Sequence, residues 1–150
     1  MSRPRTPRTD CRFTVALTHT GGVRSRVSAS KINYIEDREL RAYGSGGSYV
    51  AHSTDVQAQA LFAGRRPIDE GSNWGYDAPE RWGTRNTAAG STPVPSEQGA
   101  YQDYYTQFAR ALRGDGDFPV PAEQAVHTLE VLDAARISAA QNRVVDLLHD

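Results

Sequence analysis

The chain has 150 residues, 38% hydrophobic and 23% charged, with a formal net charge of −1. That length and composition suit one soluble globular domain, and near-neutrality gives no global electrostatic case for nucleic acid or an anionic membrane. Cys11 is the only cysteine, which excludes an intramolecular disulfide, argues against a thiolate metal site and fits a reducing, cytoplasmic setting.

No apolar run approaches the roughly 20 residues of a membrane span. Residues 1–11 read as a disordered leader, rich in Arg, Pro and Thr and without periodicity. Arg3, Arg5 and Arg8 are followed by no apolar segment, so the start is not a signal peptide. From Arg12 to His19 apolar and polar residues alternate, which predicts a strand; Thr20-Gly21-Gly22 makes a turn, and Val23 to Ser30 alternates again. Strands over Glu39–Tyr43 and Ser48–Ala51 flank Gly44-Ser45-Gly46-Gly47, and the four runs together predict an antiparallel meander. A short helix is expected over 55–62, with Asp55 or Thr54 as N-cap and Gly64 at its end. Residues 65–95 read as a long loop, a length that is usually functional or an interface element.

The ending is the clearest part. Tyr101, Tyr104, Tyr105, Phe108, Ala111 and Leu112 follow the spacing of a helix with one buried stripe, capped by Ser96 and ended by Gly114. A corner over 115–121 precedes a second helix running to about Ala140, with Pro121 in its first turn. Ala125, Val126, Leu129, Leu132, Ala135 and Ala139 form its expected core stripe, and residues 144–148 read as a closing strand.

Few constellations carry chemistry. The glycines at 44–47 lie between strands, not between a strand and a helix, so they read as a hairpin turn and not as a dinucleotide cradle. The four histidines lack metal-ligand spacing. His19, with Arg24 and Arg26 on the returning strand, could grip a hydroxyl or carboxylate, or could be polar residues at a solvated hairpin end. Trp74, Tyr76, Arg81 and Trp82 could stack on a sugar, anchor a subunit contact or pin the loop to the core. The Tyr101 hydroxyl, at a helix start, could reach a ligand. The substrate-binding candidates are therefore His19, Arg24, Trp74, Arg81, Trp82 and Tyr101, with no catalytic, cofactor-binding or metal-ligating residue among them.

Several runs carry a resemblance: Gly99-Ala100-Tyr101-Gln102-Asp103-Tyr104-Tyr105, the segment Phe108–Gly114, Pro119-Val120-Pro121, Leu129–Ala139 and Val144-Val145-Asp146-Leu147, with Arg38–Gly44 and Gly46–Tyr49 earlier. Over about residues 12–148 the chain resembles the C-terminal domain of the glucose–fructose oxidoreductase / inositol dehydrogenase (Gfo/Idh/MocA) family. The resemblance implies an α+β fold over 12–150, with a largely antiparallel open sheet and helices packed on one face. It also implies a homodimer through the open sheet face. In the family a Rossmann domain binds NAD or NADP, and a sugar, inositol or related polyol lies between the two domains. The Rossmann fingerprint, the Glu-Lys-Pro motif and the Asp/His motif of the family have no counterpart here, so no cofactor is expected on this chain alone. Three functions follow as expectations. The chain is the substrate-side and oligomerisation part of such an oxidoreductase, truncated and inactive alone. Or it is a stand-alone binding or dimerisation module, or the partner subunit of a separate Rossmann protein.

Overall fold

The alternation that begins at Arg12 forms a hairpin in the computed structural model, which describes residues 11–34, 38–52 and 55–147. Strands β1 (Arg12–Thr18) and β2 (Arg24–Ser30) pair antiparallel with Val15 opposite Val27. Their turn closes through His19 N–H donating to the Val23 carbonyl at 2.9 Å. Strands β3 (Leu40–Gly44) and β4 (Gly47–Ala51) form the next hairpin, and helix α1 (Val56–Phe62) follows. Asp55 caps α1 by accepting from Ala58 N–H at 3.0 Å; Thr54, the alternative cap, lies outside the described residues, as do residues 1–10 of the expected leader.

The segment expected as a loop contains structure. A turn of helix, α2 (Pro67–Glu70), and two 3₁₀ turns lead to β5 (Gly83–Thr87) and β6 (Gly90–Val94). This hairpin escapes sequence reading because nine of its ten strand residues lack a large apolar side chain, so no alternation shows. Pro93 also argues against a strand, but β6 is the last strand of its sheet and an edge tolerates the missing donor. Helices α3 (Tyr101–Leu112) and α4 (Ala122–Gln141) complete the chain.

The fold class is α+β with antiparallel strands throughout. The four early strands do not make one meander: β1–β2 is a two-stranded sheet, and β3–β4–β5–β6 is a second. The connection from Ser30 to Leu40 exceeds the two to five residues of a turn that enforces hairpin pairing. The chain divides into two compact units, residues 1–36 with 120–150, and residues 37–119.

Three further expectations change at the ends of elements. Ser96 does not cap α3; Ala100 holds the cap position, and the first amide of the helix, Tyr101 N–H, donates to Gln57 Oε1 on α1 at 3.2 Å. Pro121 sits at the cap position of α4, one residue before the first turn. Residues 144–147 join no ladder among the described residues, and Leu148 lies outside them. A strand exists only through a partner for its N–H and C=O groups. Instead Asn142 turns left-handed (φ 52°) and Ser138 Oγ donates to the Arg143 carbonyl at 2.7 Å, closing the helix end.

The core lies where α1 meets the loop after α2. Ala60 and Gln57 are each 3% exposed and Trp74 is 7% exposed. By contrast the stripe of α3 is exposed, Tyr105 by 71%, as are Val126, Leu129 and Leu132 on α4. A helical stripe is buried only when a second layer reaches it. The aromatic side chains of α3 pack on one another instead, Tyr104 stacking on Phe108 at 6.2 Å and Phe108 meeting Phe118 at 5.5 Å.

Gly75 has φ +85°, and an added Cβ would run into the Gly99 carbonyl. Gly75→Ala is expected to lower stability by about 2 kcal/mol or more, because strain and collision add. Gln57→Leu, which strips Tyr101 N–H of its acceptor, should cost about 1–3 kcal/mol. Urea denaturation checks both; unchanged midpoints would contradict this account of the core.

Candidate functional site

Gln57 sits at the floor of a cavity of about 630 Å³ built wholly within the unit of residues 37–119. Register explains the first wall. Leu40 pairs with Ala51 and Ala42 with Tyr49, so Leu40, Tyr49 and Ala51 share one sheet face, and that face lines the cavity. The opposite wall is the start of α1 with the start of α3, and the segment 77–81 closes one side.

Tyr49 is held by what is absent beneath it. Its ring lies so close to Gly83 that any Cβ there would strike the phenol. Glycine at 83 is thus a steric requirement of the Tyr49 position, with no unusual backbone angle involved.

Charged groups of both signs converge. Tyr101 Oη donates a short hydrogen bond to Asp55 Oδ2, joining residues 46 apart in sequence. Asp55 therefore serves twice, one carboxylate oxygen on the α1 amides and the other on Tyr101. The Tyr101 hydroxyl holds the Asp55 carboxyl below its usual range, with help from Ala58 N–H and the charge of Arg38. The same bond pushes the Tyr101 phenol up. Arg81 Nε lies 3.3 Å from Asp77 Oδ1, and His52, Glu97 and Tyr104 complete the polar lining. Such a surface offers donors and acceptors side by side with aromatic faces, which suits a neutral ligand carrying several hydroxyls.

Of the six residues singled out from sequence, Arg81 and Tyr101 line this cavity. Trp74 is buried nearby, its carbonyl accepting from Gln98 Nε2 at 2.7 Å, so its ring belongs to the core. Trp82 is half-buried and is not a lining residue. His19 and Arg24 belong to the other unit, where His19 Nε2 lies 2.7 Å from Ser25 Oγ. Sequence reading passed over Arg38, Tyr49, Asp55 and Asp77. Asp55 carried a signal, as a helix cap, but nothing local announces its second partner.

The glycine turn at 44–47 is not a dinucleotide cradle: Gly44 pairs with Gly47 across a strand–strand turn, so no helix N-terminus stands behind these glycines. Among the described residues no group of three or more His, Cys, Asp or Glu could hold a metal ion. Nor, among them, is any helix long and apolar enough to cross a membrane.

Residues 1–147 match the model of the oxidoreductase family C-terminal alpha/beta domain. The chain is 34% identical over 111 residues to the scyllo-inositol 2-dehydrogenase (NADP(+)) IolW of Bacillus subtilis, covering 71% of this chain and 30% of that protein. It is 37% identical over 112 residues to the oxidoreductase YdgJ of Escherichia coli, covering 72% and 31%. Among solved structures it resembles the Bacillus subtilis oxidoreductase yvaA with a TM-score of 0.82 at 28% identity, covering 99% of this chain and 45% of that one. The Yersinia pestis oxidoreductase YPO2259 gives 0.77 at 27%, covering 100% and 42%. The chain thus spans about a third of the length of its curated relatives.

The Tyr101–Asp55 bond carries a pH signature with two limits. Asp55, depressed in the fold, adds stability above the ordinary carboxylate pKa that is lost as pH falls through its lowered value. Tyr101, raised in the fold, adds stability below the ordinary phenol pKa that is lost as pH climbs through its raised value. Ultraviolet titration should show a late tyrosine ionisation that Asp55→Asn moves to lower pH. A titration identical in both proteins would contradict the bond.

Proposed function

The chain belongs to the Gfo/Idh/MocA oxidoreductase family, and we propose that it is the substrate-side part of an NAD(P)-dependent enzyme acting on a sugar, inositol or related polyol. The observation that carries this reading is the cavity over Tyr49, where carboxylates, guanidinium groups and phenols converge. Its volume lies within the range of small-molecule sites. The similarity to a scyllo-inositol dehydrogenase that uses NADP supports the substrate class and the cofactor.

In this reading the acids accept from ligand hydroxyls while Arg38 and Arg81 donate to ligand oxygens. Asp77 keeps Arg81 oriented, and Tyr101 keeps Asp55 ionised and in place. The rings of Tyr49 and Tyr104 supply apolar faces for ring carbons. These groups bind and orient; hydride transfer would need a nucleotide site besides them. The chain alone is therefore expected to bind polyols without oxidising them.

Isothermal titration with scyllo-inositol, myo-inositol and glucose tests the reading. At least one should bind, with a dissociation constant of about 1 mM or tighter. Tyr101→Phe and Asp77→Asn should each weaken that binding about fivefold or more, the usual loss for one hydrogen bond to a charged or oriented group. Absence of binding by all three would overturn the assignment of the cavity, and reduction of NADP by the chain with any of them would overturn its inactivity.

A further inference from the structure

Gly75 and Gly83 both leave no room for a side chain, and they differ in what fills the space. At Gly75 the obstacle is the backbone of Gly99, and a positive φ adds strain of its own. Gly83 is buried at the start of β5, and its backbone is not left-handed. The three atoms nearest an added Cβ there all belong to Tyr49: Oη, Cζ and Cε2, the far end of a rotatable side chain. A collision with backbone is relieved only by moving the chain, whereas this one is relieved by turning a ring. The bare Cα at 83 therefore serves the placement of one phenol.

Register shows how the phenol reaches it. Tyr49 pairs with Arg85 and Val50 with Thr84, so Gly83 lies two residues along β5 on the face that Tyr49 shares. Such a diagonal spans about 7–8 Å, within reach of an aromatic side chain. Tyr49 thus leans along the sheet, and the cavity lies on the same face.

Its hydroxyl is left over. Tyr49 Oη makes no hydrogen bond to any described residue. Among those residues no side-chain polar atom is both enclosed and unpartnered, so Oη is open to the cavity that Tyr49 lines. Tyr101 Oη, by contrast, is committed to Asp55. A phenol with its donor and acceptor both unused, held down by the shape of the sheet, suits a ligand hydroxyl.

We infer that Tyr49 Oη is a ligand contact of this cavity and that Gly83 is its positioning residue. The inference rests on the polyol reading and adds to it the position that sets the depth of the site. Carbon atoms pack at about 3.5–4.0 Å, so a side chain at 83 lifts the ring by about 1 Å or more. Away from the sheet, the ring moves into the cavity and takes the space of the ligand.

Two measurements on the same variants test it: urea denaturation, and titration with the tightest-binding of scyllo-inositol, myo-inositol and glucose. Tyr49→Phe should keep the wild-type urea midpoint and bind about fivefold more weakly, the usual loss for one hydrogen bond. Gly83→Ala should bind about tenfold more weakly or worse, the discrimination that one extra methyl in a pocket provides. Its midpoint should fall less than that of Gly75→Ala. In a Tyr49→Leu background, where no phenol reaches position 83, Gly83→Ala should not lower the midpoint at all, since residues in contact are non-additive. Wild-type affinity in Tyr49→Phe or in Gly83→Ala would overturn the inference and leave the polyol reading standing. So would a Gly83→Ala midpoint as low as that of Gly75→Ala, or a loss that persists in the Tyr49→Leu background. Failure of the wild type to bind any of the three polyols would remove the reading and the inference together.

Discussion

One buried amide organises the unit that holds the cavity. Gln57 projects from α1, is almost wholly removed from solvent, and gives its carbonyl oxygen to the first amide of α3. The same side chain packs against Gly75 and Gly99, whose backbones are themselves joined by Gly99 N–H donating to the Gly75 carbonyl at 2.8 Å. Helix starts leave amides without partners, and a residue from a distant element satisfies one here. The floor of the cavity, the entry of α3 and the loop carrying Trp74 therefore depend on a single polar contact with little room to shift. The Tyr101–Asp55 bond then closes the same two helices at the rim.

Away from that node, apolar side chains stay exposed. The regular stripe of α3 is exposed, and so are Val126, Leu129 and Leu132 of α4. The matched relatives are two to three times as long as this chain.

Much of the backbone was legible in the sequence, for identifiable reasons. The strands at 12–18 and 24–30 announce themselves because Phe13, Val15 and Leu17 alternate with polar residues, and α3 and α4 because apolar positions recur at three and four. The hairpin at 83–94 was illegible because its strands are polar on both faces and include Pro93. Val144-Val145-Asp146-Leu147 has strand chemistry, but a ladder needs a neighbour, which no local pattern reveals. The cavity is harder still. Arg81 and Tyr101 could be picked out as polar groups near aromatic residues, whereas Asp55 and Tyr49 acquire their roles from contacts 46 and 34 residues away, with Tyr101 and Gly83. Burial, likewise, follows from what reaches a stripe and not from the stripe itself.

We propose the cavity on the sheet face of residues 37–119 as a polyol site. Amide chemical-shift mapping of the isotope-labelled chain during titration with scyllo-inositol tests it most directly. Saturable shifts are expected at Tyr49, Asp55, Arg81 and Tyr101, with the amides of β1 and β2 unmoved. Shifts confined to the hairpin or to α4, or none at saturating polyol, would contradict it.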